Sequence, residues 1–241
     1  MKKILRPLFY KFFPIHLFFL WLRVRNTDSA QNIPTINANT FFKLLARGKR
    51  TFVQIGANDG VKNDPIYHHV KKSKWQGVLV EPLPDFIKRL KENYKGCEGL
   101  QFENSGISDV NGTLDFYFLP SEWSEPDWFQ QIGSFSKESI LFNLSNFPEI
   151  IPRIVSKKIP VLTLKDLFLK YDIHALDLLL IDAEGFEMRI LQGLTASEVR
   201  PTYIFYEWGS MAANDNNKLK VFFANLGYKL YVAGPDILAV R

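Results

Sequence analysis

Val53-Gln54-Ile55-Gly56-Ala57-Asn58-Asp59-Gly60 is a short apolar run that stops in a glycine-rich turn. A strand ending in this way ahead of a helix lets the backbone come close to a ligand and turns amide groups toward it. The glycines are spaced Gly-x-x-x-Gly, so the dinucleotide fingerprint Gly-x-Gly-x-x-Gly is absent. Asn58 and Asp59 put short polar side chains in the turn. Asp59 would repel a diphosphate but attract a cation such as the amine of an amino-acid moiety. An ordinary turn is the plain alternative, because Asn-Asp-Gly suits turns.

Outward from this stretch the chain alternates strand-length apolar runs with helical periodicity, the pattern of a parallel sheet with helices on its faces. A helix is predicted over 62–73, a strand over 77–81 and a helix over 83–94. Glu81 ends that strand 25 residues after Gly56, where a carboxylate accepts from both hydroxyls of a ribose, and Pro82 fixes the exit of the chain. A third strand is expected over 100–107. Residues 113–119 alternate with period two after an Asn-Gly turn and predict an extra antiparallel strand. Five prolines and many aromatics over 120–160 read as an inserted lid without regular structure. Thr163-Leu-Lys-Asp166 resembles a capping box opening a helix over 163–171. LDLLLID, 176–182, is continuous in apolar character, as a central parallel strand must be. A helix over 185–192, a strand over 202–207, a helix near 216–226 and an antiparallel pair at 228–232 and 236–240 complete the pattern. That final pair would be unusual in a dinucleotide-binding dehydrogenase.

Composition narrows the classes. The chain has 241 residues, 46% hydrophobic, 15% aromatic and 23% charged, enough to bury the core of one domain. A single cysteine, Cys97, excludes a disulfide framework and a cysteine zinc site. The net charge of +5 sits at one end: residues 1–25 carry six basic residues and no acid, leaving 24 basic against 25 acidic elsewhere. A neutral body argues against a nucleic-acid surface, which needs clustered cations. Residues 1–25 form a basic apolar segment, followed by a linker over 26–38 and a globular domain over 39–241. The run FFPIHLFFLWL, 12–22, is shorter than the about 20 residues a spanning helix needs. It reads instead as a cationic helix in the interface, with packing on the body as the alternative. The expected location is cytoplasmic, with residues 1–25 the candidate contact to the inner face of a membrane.

A second acidic site lies at Ile181-Asp182-Ala183-Glu184-Gly185-Phe186-Glu187. Two carboxylates at the carboxyl end of a central strand lie where open α/β sheets hold their ligands. Asp182 and Glu184 are the candidate general bases, and Glu187 suits the first turn of a helix. His68 and His69 are rivals, since a neutral imidazole accepts a proton near neutrality. Two carboxylates without histidine make a metal site only with further oxygen donors, and no metal is expected.

The five segments VQIGANDG, VLVEPLPDF, FENSGISDVNGTLDFYF, IPVLTLKDL and LLLIDAEGFEMRIL, in this order, resemble the FkbM-type S-adenosylmethionine-dependent methyltransferases over roughly residues 50–208. The resemblance implies a Rossmann-like class I methyltransferase fold, S-adenosyl-L-methionine as cofactor, and O-methylation of a hydroxyl on a saccharide or small natural product. It implies that Gly56, Asn58 and Asp59 line the methionine end, that Glu81 binds the ribose, and that Asn104 and Ser105 lie near the adenine. Gly60 and Pro82 complete the cofactor set. Asp182 and Glu184 would face the transferring methyl, with Ser134 and His68 on the substrate side. Many members carry a lysine two residues before the motif aspartate, where this chain has Leu180. Two other readings stay open. A nicotinamide-dependent oxidoreductase shares the strand-turn-helix and Glu81, and finds a Tyr-x-x-x-Lys pattern at Tyr67 and Lys71. A non-catalytic nucleoside-binding protein with a degenerate cofactor site is the other, and the intact Gly56, Asn58, Asp59, Glu81 and Asp182 argue against decay.

Overall fold

Leu178–Ile181 is buried along its whole length, and its side chains divide by position: Leu178 and Leu180 join one apolar layer, Leu179 and Ile181 another. Successive strand residues point to opposite faces, so such a strand must lie in a sheet covered on both sides. The computed structural model describes residues 27–28, 33–123, 127–208 and 213–241. The predicted interfacial helix within residues 1–25 lies outside the described residues. No described helix is long and apolar enough to cross a membrane.

The strands are β1 (Thr27–Asp28), β2 (Ile33–Pro34), β3 (Thr51–Ile55), β4 (Gln76–Val80), β5 (Leu100–Glu103), β6 (Gly106–Ser108), β7 (Gly112–Phe118), β8 (Val155–Thr163), β9 (Leu178–Ile181), β10 (Tyr203–Glu207), β11 (Lys229–Ala233) and β12 (Asp236–Val240). The helices are α1 (Ala38–Leu45), α2 (Tyr67–Ser73), α3 (Pro84–Asn93), α4 (Lys137–Asn143), α5 (Leu164–Lys170), α6 (Glu187–Gln192) and α7 (Ala213–Asn225). The main sheet has the order β11-β12-β10-β9-β3-β4-β5. Its strands run parallel except β12, which is antiparallel to both β10 and β11. This is the mostly parallel α/β sheet with an antiparallel carboxy-terminal pair that the alternation predicts.

Residues from α1, α2 and α3, such as Phe41, Val70 and Leu90, pack with Phe52, Leu79 and Leu180 on one face. Residues from α5, α6 and α7, such as Leu167, Ile190 and Phe223, pack with Val53, Val80 and Ile181 on the other. Each fully buried aliphatic or aromatic side chain of this kind contributes about 2 kcal/mol. From β3 the chain winds outward through β4 to β5, and from β9 it winds the opposite way to β10. The order therefore reverses between β3 and β9, and the crevice above their carboxyl ends is the place for a ligand.

The structure differs from the sequence expectations where tertiary contacts override local pattern. The strand expected over 100–107 breaks after Glu103, and β6 leaves the main sheet to pair with β8. Asn104 holds the break by donating to the carbonyls of Glu81 and Pro82 at 2.9 and 3.0 Å. The extra strand over 113–119 is β7, antiparallel to β8 in a second sheet of order β6-β8-β7. The region expected to lack regular structure over 120–160 thus ends in a strand, and it also holds α4. The helix expected over 62–73 begins only at Tyr67, because Asn63 is left-handed and Asp64 accepts from the amides of Ile66 and Tyr67. In the expected linker, β2 pairs with β1, Ile33 is buried, and the Ile36 amide donates to the carbonyl of Val232. The capping box is half formed: the Thr163 hydroxyl accepts from the Asp166 amide, but the Thr163 amide donates to Asn111.

Candidate active site

Gly56 joins the two strands that bracket the crevice. Its φ is +77°, and a Cβ there would lie 1.7 Å from the carbonyl oxygen of Asp182. Only glycine lets the end of β3 pass this close to the end of β9. The amides of Gly56 and Ala57 donate to the carbonyl of Val80, tying the turn to β4 as well. Gly60, also left-handed, turns the chain back against Leu90 and Tyr94.

The turn carries Asn58 at φ +47°, and its amide donates to Glu81 Oε2 at 2.9 Å. Glu81 Oε1 accepts from the Leu83 amide at 2.9 Å. The Glu81 carboxylate is thus fixed by one amide on each oxygen, and each oxygen keeps acceptor capacity. Glu81 is 5% exposed. Burial pushes it up to about 7, against the pull of the Leu83 and Asn58 amides.

A cleft opens over these strand ends. Gly56, Asn58, Glu81, Pro82 and Ser105 line its inner wall, and Asp182 and Glu184 line it at the end of β9. Val80, Leu83, Phe86 and Ile107 supply an apolar slot beside Glu81. Gln54 is 3% exposed, lines the cleft, and keeps a buried Oε1 without a partner. A nucleoside fits this donor set: hydroxyls to Glu81, a flat base in the slot, and a donor for Gln54.

Asp182 is open to the cleft, yet the cleft is deep enough that burial raises its carboxyl to about 7, helped by the charges of Glu207, Asp236 and Asp64. Glu184 sits at φ +51° followed by Gly185 at +91°. Burial and the neighbouring Asp182, Glu207 and Glu187 hold its carboxyl well above the usual range. Asn143 Nδ2 opposes this by donating to Glu184 Oε2 at 2.8 Å. Glu187 is fully buried, accepts from the Ala183 amide at 2.8 Å, and is pushed up to about 8 by burial. Oxygens of Asp182, Glu184 and Glu207 lie within 4.8 Å of one another, so Glu207 adds the third oxygen donor that a divalent cation would need.

Several predicted site residues stand elsewhere. Asp59 is absent from this cleft: one of its oxygens accepts from the amides of Val61 and Lys62, and it lines a neighbouring recess with Arg89 and Ser121. Asn104 spends its amide on the backbone of Glu81 and Pro82. Ser134 is fully buried, and its hydroxyl donates to the carbonyl of Glu184 at 2.9 Å. His68 is exposed on α2 with its ring against Tyr67, outside the lining of the cleft, as is His69. The Tyr67 and Lys71 pair also lies on α2, with Lys71 donating to the Tyr67 hydroxyl and to the carbonyl of Asn93. Glu207, Asn143 and Gln54 were not singled out by sequence. A lone acid at a strand end signals little, and Asn143 falls among the prolines of the 120–160 region.

No curated protein sequence is significantly similar to this chain. Among solved structures, the methyltransferase FkbM of Methylobacillus flagellatus KT is 14% identical with a TM-score of 0.51, over 86% of this chain and 48% of that one. This chain therefore spans about half the length of that protein. The ribosomal protein L11 methylase of Lactobacillus delbrueckii subsp. bulgaricus is 11% identical with a TM-score of 0.43, over 85% of this chain and 76% of that one. The family described as Methyltransferase FkbM domain matches residues 54–230, which runs from β3 to β11. A cleft at the switch point of this sheet and a match over most of the chain agree, and the chain belongs to the FkbM methyltransferase family.

Proposed function

We propose that this chain transfers a methyl group from S-adenosylmethionine to a hydroxyl of a saccharide or small natural product, with the Asp182 and Glu184 pair taking the hydroxyl proton. The observation that carries the reading is the pair itself: two carboxyls at the end of the central strand, open to the cleft and held above the ordinary carboxylate range, Asp182 at about 7. A base with a pKa near the working pH takes a proton most effectively. The two groups act on each other, so the site titrates as a pair. Bound S-adenosylmethionine supplies an electrophilic methyl on a sulfonium that departs as a neutral thioether. What is left to the protein is orientation and proton removal. Glu81 holds the ribose hydroxyls, the Val80, Leu83, Phe86 and Ile107 slot takes the base, and the Gly56 to Asn58 turn faces the amino-acid end. Asp182, at the mouth of the same turn, receives the proton as the oxygen attacks. Family membership supports the cofactor class, and the acceptor class rests on the acid pair.

The test is calorimetric titration of the full chain with S-adenosylhomocysteine, with NAD and NADP as controls and Glu81→Ala beside it. Micromolar binding that weakens at least about tenfold in the variant is expected, because the variant loses charge-assisted hydrogen bonds to two hydroxyls. Methyl transfer from labelled S-adenosylmethionine to a panel of hydroxylated acceptors should then fall about a hundredfold in Asp182→Asn. Binding without transfer to any acceptor would reduce the protein to a nucleoside-binding module. Binding of a nicotinamide nucleotide instead would overturn the reading.

A further inference from the structure

Residues 38–58 and 65–80 contain no acid. The first stretch holds Lys43, Arg47, Lys49 and Arg50, and the second Lys71, Lys72 and Lys74. The fold brings the two together. The Ser73 hydroxyl donates to the carbonyl of Ala46 at 2.6 Å, and the Trp75 indole donates to the carbonyl of Gly48 at 3.0 Å. Arg47 and Lys49 are thereby set beside Lys72 and Lys74. Lys43 joins them: burial and then the charges of His68, Lys43 and Lys72 hold the His69 imidazole below its ordinary range. Lys43, Arg47, Lys49, Lys72 and Lys74 are exposed. Among the described residues, Lys43, Lys49, Lys72 and Lys74 form no ion pair. Of the other cations here, Lys71 is taken up by the Tyr67 hydroxyl and the carbonyl of Asn93, and Arg50 by the carbonyl of Leu45. Glu98, before β5, and Asp177, before β9, also reach this end of the sheet, and Asp177 accepts from the Thr51 amide at 2.8 Å. A cation in the last turn of a helix suits the helix dipole, and Lys43 and Lys72 serve α1 and α2 in that way. Lys49 and Lys74 lie past the last turns, where that effect has faded. These lysines repel one another unless a counter-charge covers them. β3 begins at Thr51 and β4 at Gln76, so the cluster stands at the amino ends of the strands, the opposite end from the cleft.

We infer that the ends of α1 and α2, with the turns that follow them, form a docking surface for an anionic bilayer. The inference goes beyond the methyl-transfer reading and does not rest on it. A compact, acid-free cluster of lysines is what a surface of anionic headgroups attracts. The sequence supplies the apolar half of the contact: residues 1–25 combine six cations with the run FFPIHLFFLWL, and residues 26–37 alone separate them from α1. A single weak apolar anchor binds a membrane reversibly, and a basic patch is the second signal that makes attachment stable. A nucleic acid fits less well. A single strand calls for aromatic faces on which bases stack, and the Trp75 indole among these lysines is 1% exposed. Nor does a nucleic acid make use of the apolar run. Docked on this surface, the protein holds the cleft turned from the lipid and open to water.

The experiment measures partition of the full chain onto vesicles by sedimentation, using phosphatidylcholine alone or phosphatidylcholine mixed with phosphatidylserine. Wild type is expected to bind the mixed vesicles at about 0.1 M salt and to lose most of that binding at about 1 M, where the screening length shortens from about 10 to about 3 Å. Each lysine at such a surface contributes about fivefold. Lys43→Gln, Lys49→Gln, Lys72→Gln and Lys74→Gln together should therefore weaken binding by about a hundredfold or more. Arginine at the same four positions keeps the charge and should bind like wild type. A control loses the same charge at Lys88→Gln, Lys157→Gln, Lys165→Gln and Lys220→Gln, on α3, β8, α5 and α7, and should stay within about tenfold of wild type. Urea denaturation checks that each variant folds. Should the fourfold glutamine variant unfold, Lys49→Gln with Lys74→Gln, both beyond the helix ends, carries the test with a loss of about twentyfold. Wild-type binding in the glutamine variants would overturn the inference. An equal loss in the control would reduce the effect to net charge and overturn it too. So would failure of the wild-type chain to bind mixed vesicles, or capture of a mixed-sequence single-stranded RNA at the same lysines in their place.

Discussion

Gly56 illustrates how much of the site depends on the absence of a side chain. A methyl group at this position would meet the carbonyl oxygen of Asp182 at 1.7 Å, and the backbone is left-handed besides. Neither strand end can yield without breaking the bond from the Asp182 amide to the carbonyl of Ile55. Gly56→Ala is therefore expected to destabilise the fold by about 3 kcal/mol or more, read as a lower urea midpoint, and to weaken S-adenosylhomocysteine binding in whatever remains folded. An unchanged midpoint would show that the strand ends are looser than the contact implies. The placement of Gly56 and Glu81 at the strand ends was legible in the sequence because strand ends and turns announce themselves locally. The contacts of Asp59, Ser134 and Asn143 were not. Asp59 has the right type and position, but the amides of Val61 and Lys62 claim one of its oxygens. Asn143 gains its meaning only from a partner far along the chain.

Elements were read best where burial alone specifies them and worst where a side chain from elsewhere ends or redirects them. Within the run at 176–182, Leu178–Ile181 declares a central strand, since it is apolar and buried at every position. The run at 100–107 mixes apolar and polar residues, and it crosses from one sheet to another at Asn104, whose amide grips the neighbouring strand exit. No periodicity in the run encodes that grip. Helix α2 starts later than its pattern implies because Asp64, with its Oδ2 accepting from Gln54 at 2.9 Å, supplies the cap. Helix α5 starts where predicted, and its cap gives a test at this scale. Thr163→Ala removes the acceptor for the Asp166 amide and the donor to the Asp166 carboxylate, at 3.1 and 2.6 Å. A loss of about 1 kcal/mol is expected in chemical denaturation, with Thr163→Ser close to wild type. Equal stability in both variants would mean that Asn111, which also donates to Asp166, suffices to hold the helix start.

Taken as a whole, the molecule concentrates acids raised above their ordinary range at one place. Glu81 and Asp182 are raised to about 7 and Glu187 to about 8, from ordinary values near 4. A carboxyl raised on folding keeps its proton where the unfolded chain has released it. Its contribution is then fully present below the unfolded value and declines as pH rises toward the folded one. Stability should therefore fall from about pH 4.5 to pH 8. Glu103, Asp109 and Asp166, which are lowered by their partners, act the opposite way and weaken the fold in acid. Glu187→Gln keeps an acceptor for the Ala183 amide and removes the titrating group, so it should raise the melting temperature at pH 8 and flatten the slope. A slope identical to wild type would place the pH dependence elsewhere.

Phe118 and Val155 face each other as the last cross-strand pair of β7 and β8. Everything between them begins and ends within about 5 Å, the spacing of paired strands. In connectivity this excursion is an elongated hairpin tip that carries its own small apolar core and meets the end of β9 through Ser134 and Asn143. A tight turn could close the ladder in its stead, at the cost of the two hydrogen bonds that reach Glu184. One cleft is thus walled by two separate stretches of chain, the strand ends of the main sheet and a detour from the second.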